Sequence, residues 1–147
     1  MMKRVQRSII FIRRHPGEAL LILRVAAWVV LLSFLIKFLS LPRVLSLVAL
    51  PARGRSPKNF SITQERLVQL VDALLAMDVL CFTPTCWKRA PVLHRYFALS
   101  GIETRIVFGV RKEKGTLLAG HAWLEAEGQP LFETSPPAYT VTYSFPA

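Results

Sequence analysis

The stretch Thr83-Pro-Thr-Cys-Trp-Lys-Arg-Ala-Pro-Val-Leu-His-Arg-Tyr-Phe-Ala-Leu-Ser-Gly-Ile-Glu-Thr-Arg-Ile-Val-Phe-Gly-Val110 contains a change of hydrophobic period, and that change decides the fold class. Thr83-Pro84-Thr85 supplies a hydroxyl cap and a proline at a helix start. Cys86, Ala90, Leu93 and Phe97 then recur at steps of four, three and four, one face of a helix. Gly101 stands where a left-handed C-terminal cap belongs. Beyond it, Thr104 to Val110 is rich in β-branched residues and reads as a strand. On the C-terminal side, Lys112-Glu-Lys-Gly115 reads as a turn, Leu118 to Glu125 as a second strand and Pro130 to Thr134 as a third. Tyr139 to Phe145 alternates like one more strand. On the N-terminal side, Ser61-Ile-Thr-Gln64 has the form of a capping box, and Leu67, Leu70, Val71 and Leu74 follow at helical spacing to about Met77. Two helices followed by an antiparallel meander make an α+β domain, not a βαβ fold.

The 147 residues divide sharply in charge. Residues 1–58 hold 11 Lys/Arg against one acid, Glu18, and so carry the whole net charge of +10. Residues 59–147 hold 8 Lys/Arg and 8 acids. The break falls at Pro51-Ala-Arg-Gly-Arg-Ser-Pro57, a linker by composition. We therefore expect a basic, apolar, helical segment over 1–58 and a folded domain over 59–147. A chain that is 52% hydrophobic buries enough surface to order itself, which excludes disorder. Two cysteines, Cys81 and Cys86, and three histidines, His15, His94 and His121, show no paired metal-ligand spacing. Neither a metal nor a cofactor is expected, and no nucleotide-binding loop is present.

Ala19 to Leu41 is apolar apart from Arg24, Ser33, Lys37 and Ser40, and its longest uncharged run, Val25–Ile36, has twelve residues. A transmembrane helix normally needs about 18 or more such residues. Basic residues flank both ends, whereas a single crossing shows a one-sided excess. This pattern suits a helix on an anionic membrane surface, or one packed on the protein, better than a span. Nucleic acid fits poorly, because the basic residues border a greasy run and not a polar helix that could read bases.

Cys86 opens a helix, where unpaired N–H groups and the helix dipole favour negative charge on a sulfur. His121, in Gly120-His-Ala-Trp-Leu-Glu125, is the candidate base. The acids after it are Glu125, Glu127 and Glu133. A three-residue loop, Ala126-Glu127-Gly128, pairs Glu125 with Gln129, Trp123 with Leu131 and His121 with Glu133, and places Glu133 beside the imidazole. A two-residue turn at Glu127-Gly128 puts Glu133 on the opposite face. The bland readings stand beside these. Free cysteines are often buried, Cys81 reads as core, His94 as a satisfied polar residue, and Trp87 and Trp123 as packing.

The blocks Cys86 to Gly101, Ile106-Val-Phe-Gly-Val-Arg111 and Gly120-His-Ala-Trp-Leu-Glu125 resemble, in order and interval, those of bacterial transglutaminase-like proteins. Within that superfamily the chain resembles the stand-alone leader peptidases of lasso-peptide maturation, over roughly residues 62–134. The resemblance implies a papain-like, transglutaminase-like cysteine peptidase core and a Cys–His–acid triad of Cys86, His121 and Glu133. The acid is a departure, because the family uses aspartate there. It further implies three partners: a precursor peptide, a small leader-recognition protein of the PqqD-like kind, and an ATP-dependent macrolactam cyclase. Two other functions share these residues: transglutaminase-like acyl transfer to an amine, and a non-catalytic, membrane-associated scaffold for a maturation complex.

Overall fold

The computed structural model describes residues 16–49, 63–76, 86–112, 118–133 and 138–146. These form helices α1 (Pro16–Phe38), α2 (Leu41–Ala49), α3 (Gln64–Leu75) and α4 (Cys86–Leu99), then strands β1 (Arg105–Lys112), β2 (Leu118–Ala126), β3 (Gln129–Leu131) and β4 (Thr140–Phe145). The fold class is α+β, as expected.

Each helix boundary has a local cause. The box expected at Ser61 lies outside the described residues; the observed cap is Thr63, whose Oγ1 accepts the Arg66 N–H at 3.3 Å from an extended backbone. Leu67, Val68, Leu70, Val71, Leu74 and Leu75 of α3 are then buried, and the helix ends at Leu75, two residues before Met77. The Thr83–Thr85 cap of α4 is likewise outside the described residues. At its far end α4 closes in a Schellman motif. Gly101 has φ +78°, its N–H donates to the Ala98 carbonyl at 3.1 Å, and Ile102 N–H donates to the Phe97 carbonyl at 2.9 Å. Ala90, Leu93 and Phe97 are buried and Cys86 half-buried, so the face read from the spacing is the packed one.

One continuous apolar core runs through the molecule, on both sides of the expected boundary at residue 58. Leu21, Val25, Val29 and Leu32 of α1 and Val44, Leu45 and Val48 of α2 pack with α3, α4 and the inner sheet face, Ile106, Ala122 and Leu124. Fully burying each large apolar side chain contributes about 1.5–3 kcal/mol. Arg95 on α4 ties the first two helices to this core. Its guanidinium lies 4.0 Å from the Trp28 ring centre, and Nη1 donates to the Val48 carbonyl at 2.8 Å. The 20 residues Ala19–Phe38 of α1 contain an 18-residue run with a mean hydropathy of 2.6, so the helix is long and apolar enough to cross a membrane by length and composition. Its Leu21, Val25, Val29 and Leu32 are nonetheless core residues of the domain.

The sheet is antiparallel with order β3-β2-β1-β4. Strands β1 to β3 form the expected meander, but β4 returns to pair with β1, which makes a Greek key. The reason is the inequality of the two edges. Strand β3 has three residues, one of them Pro130 with no N–H to donate, whereas β1 offers eight residues of ladder.

Candidate active site

Cys86 is the first residue of α4, so its backbone N–H and those of Trp87 and Lys88 belong to the turn that lacks helical acceptors. Such donors, with the positive end of the helix dipole, hold negative charge at a helix start. Arg89 lies three residues on and therefore on the same side of the helix. Its guanidinium makes a fork with Asp72 of α3, Nε to Oδ1 at 2.7 Å and Nη2 to Oδ2 at 3.3 Å. The remaining nitrogen, Nη1, lies 3.7 Å from Glu133 Oε1.

The second oxygen of that carboxylate, Oε2, lies 3.3 Å from His121 Nε2. An ionised carboxylate only accepts, so beside it a neutral imidazole holds its proton on Nε2 and keeps the Nδ1 lone pair. One carboxylate thus touches the imidazole on β2 and, through Arg89, the first turn of the cysteine helix. His121 and Glu133 are in direct contact; Cys86 makes no hydrogen bond to either among the described residues and shares the first turn of α4 with Arg89.

The expected hairpin register is wrong, although the contact it was invoked for is present. The observed pairs are Leu124 with Leu131, Glu125 with Pro130 and Ala126 with Gln129, so the turn has two residues. Glu127 at φ +51° and Gly128 at φ +76° supply the two left-handed residues of a type I′ hairpin, whose twist matches the strands. Continued regularly, this register would place Glu133 opposite Ala122, on the core side. The ladder stops at Leu131 instead, and Phe132 adopts φ +56°. That one left-handed residue breaks the alternation and swings Glu133 to the imidazole. Phe132 itself packs on Phe97, with ring centres 5.9 Å apart.

Along β2, Ala122 and Leu124 face the helical core, so His121, Trp123 and Glu125 alternate to the other face. There the imidazole is half-buried between two aromatic rings. Trp123 lies nearly parallel to it with ring centres 5.9 Å apart, and Tyr139 lies at 5.2 Å. Arg111 covers the outer side of Tyr139 at 4.8 Å. Gly109, paired with His121 across the ladder, makes room for this stack: a Cβ there would come within 2.8 Å of Tyr139 Cβ and 3.0 Å of the Trp123 ring. Glu125 is not the imidazole's partner. It accepts the Trp123 indole N–H at 2.9 Å and faces Arg105 at 3.5 Å, about 13 Å along the strand from His121.

The remaining histidine of the described residues, His94, is a structural one. It is buried on α4, with Nδ1 2.9 Å from Thr104 Oγ1 and its ring edge-on to Phe145. Burial holds its pKa below the ordinary 6.5, against an opposing hydrogen bond to the Thr104 backbone. Among the described residues no group of His, Cys, Asp and Glu could hold a metal ion.

Sequence reading missed two members of the site. Arg89 was visible in principle, since Cys86-x-x-Arg89 places a cation on the cysteine side of the first turn. Tyr139 was not, because its place over His121 depends on β4 returning to β1.

Neither a curated protein nor a solved structure matches the chain. The model of the transglutaminase-like superfamily matches residues 28–144, which include α2 to α4, β1 to β3, all of β4 but its last residue, and Cys86, His121 and Glu133. It starts inside α1 and covers well over half of the sequence, and the chain therefore belongs to the transglutaminase-like superfamily.

Proposed function

We propose that this chain is a cysteine peptidase that removes the leader from a ribosomally made, lasso-type precursor peptide. Proteins of this superfamily are usually cysteine-dependent enzymes. The observation that carries the reading is Glu133, whose two oxygens face His121 at 3.3 Å and, at 3.7 Å, Arg89 of the helix that Cys86 opens.

The chemistry follows from the proton positions. Glu133 fixes the proton on Nε2 and leaves Nδ1 as the base. Nδ1 takes the Cys86 thiol proton as Sγ attacks the peptide carbonyl at the leader–core junction. The oxyanion forms at the start of α4, where the Cys86 N–H donates to it. The tetrahedral intermediate collapses, the C–N bond breaks, and the imidazolium gives its proton to the departing amine. Water, deprotonated by the same Nδ1, then attacks the thioester, and the sulfur leaves and recovers its proton. The products are a leader with a new carboxylate and a core peptide with a free amine. That amine is the group a separate ATP-dependent macrolactam cyclase needs. A PqqD-like leader-recognition protein presents the precursor to the enzyme. On this reading the enzyme works in the cytoplasm, where the precursor is made.

Incubation with a candidate precursor and the leader-recognition protein, read by mass spectrometry, tests the proposal. Wild type is expected to separate leader from core, and Cys86→Ala and His121→Ala to leave the precursor intact while folding normally. Loss of ammonia with joining of two chains would identify amine transfer instead. Full maturation by Cys86→Ala would identify a scaffold.

A further inference from the structure

Helix α1 is apolar on every side, yet only one side of it is inside the protein. Leu21, Val25, Val29 and Leu32 are buried in the core. The opposite side carries Leu20 (51% exposed), Leu23 (67%), Leu31 (42%), Phe34 (53%) and Phe38 (80%), with exposed Ala27 between them. Positions 20, 23, 27, 31, 34 and 38 fall on one stripe at 3.6 residues per turn, about 27 Å long. No polar residue interrupts it. Ser33 lies off the stripe and donates its hydroxyl to the Val29 carbonyl at 2.8 Å. Exposed Arg24 sits on one margin and exposed Lys37 on the other.

We infer that this stripe is a docking surface for an anionic lipid bilayer, with α1 lying in the plane of the membrane. An apolar face on a helix whose other face is already buried needs a second apolar medium. Protein partners bring hydrogen bonds, roughly one per 100–200 Å² of interface, and the stripe offers no group to receive them. A second copy is disfavoured by charge, because residues 1–58 carry the whole +10 and two copies would bring like charges together. The same charge favours anionic headgroups, toward which Arg24 and Lys37 can extend while their stems lie along the apolar stripe. A perpendicular span is disfavoured by packing. The core contacts from Leu21 to Leu32 hold about 17 Å of the helix against the domain, so a crossing would drag Arg95, whose guanidinium stacks on Trp28, into hydrocarbon.

The surface is independent of Cys86 and His121, so its test needs no substrate. The purified full chain is sedimented with vesicles of phosphatidylcholine alone or with phosphatidylglycerol added. Binding is expected to the anionic vesicles and to fall as salt rises. Leu23→Glu with Phe34→Glu is expected to weaken it by more than about tenfold. Arg24→Glu and Lys37→Glu are each expected to weaken it by at least about fivefold. Thermal unfolding in the absence of lipid is expected to be unchanged, because these side chains lie outside the core; Leu23→Ser serves as the milder variant should the double substitution misfold. Three results with vesicles or membranes overturn the inference: equal binding to neutral vesicles, binding by the glutamate variants at wild-type strength, or retention in the pellet after an alkaline carbonate wash, which marks a span. A dimer in solution that Leu23→Glu splits into monomers also overturns it, by assigning the stripe to a second copy.

Discussion

Replacing Glu133 by glutamine keeps the side chain's shape but exchanges one acceptor oxygen for an NH2 donor and removes the negative charge, and the structure sets what that costs. The carboxylate serves two donors, Arg89 Nη1 at 3.7 Å and His121 Nε2 at 3.3 Å. An amide has a single acceptor oxygen, and the charged guanidinium competes for it. Its NH2 group then faces Nε2, the imidazole must move its proton to Nδ1, and the base is lost. The same carboxylate-to-amide exchange in the serine-protease triad lowers kcat by about 10⁴-fold through the wrong tautomer. At 3.3 Å the contact is longer than the roughly 2.7–2.9 Å of a strong charge-assisted bond. We therefore expect a smaller loss for Glu133→Gln, about 10²–10³-fold in single-turnover cleavage of the precursor. Folding should hold to within about 1 kcal/mol, because Arg89 keeps its fork with Asp72 at 2.7 Å. The assay is cleavage followed by mass spectrometry beside a thermal melt, with Glu125→Gln as the control. Glu133→Gln cleaving at the wild-type rate, or falling less than Glu125→Gln, would refute the assignment of the third group.

Three further substitutions read other parts of the account. Glu127→Asn should stabilise the protein by about 0.5–1 kcal/mol, a rise in Tm of about 2–4 °C per kcal/mol, because Asn accepts the left-handed φ of +51° more readily; an unchanged or lower Tm contradicts the two-residue turn. Gly109→Ala should cost about 1–3 kcal/mol in urea unfolding and slow cleavage, since its Cβ would meet Tyr139 Cβ at 2.8 Å and push the ring off His121; a stable, fully active variant would show that the stack yields freely. Burial lowers the pKa of His94, so below 6.5 the unfolded chain binds a proton that the native state refuses, and stability falls as pH drops through that value. The slope is at most about 1.4 kcal/mol per pH unit, and urea unfolding of His94→Gln, which keeps a polar partner for Thr104, should be flatter over the same range.

The helices and strands were legible because they are local. The spacing of Cys86, Ala90, Leu93 and Phe97, the glycine at 101 and the β-branched run after it each fix one element by its own period. The contact between His121 and Glu133 was foreseen through a register that the protein does not use. Its real cause, the left-handed Phe132, has no sequence signal, because a phenylalanine is among the last residues expected at positive φ. Non-local facts were invisible for the same reason. The return of β4 to β1, which brings Tyr139 over the imidazole, depends on competition between sheet edges far apart in sequence. The two faces of α1 were also hidden, because leucine, valine and phenylalanine occupy both, and composition does not say which of them meets protein.

The account rests on the Cys86 sulfur and the His121 imidazole being able to meet at the start of α4. Dibromoacetone, a bis-alkylating reagent with three carbons, tests this directly in a Cys81→Ser background: it first alkylates the thiol and then bridges to an imidazole nitrogen only within the reach of that chain. Peptide mapping by mass spectrometry is predicted to find Cys86 and His121 joined within one molecule, with the bridge absent from His121→Ala. Alkylation of Cys86 with no bridge to His121, in the folded Cys81→Ser protein, would contradict it.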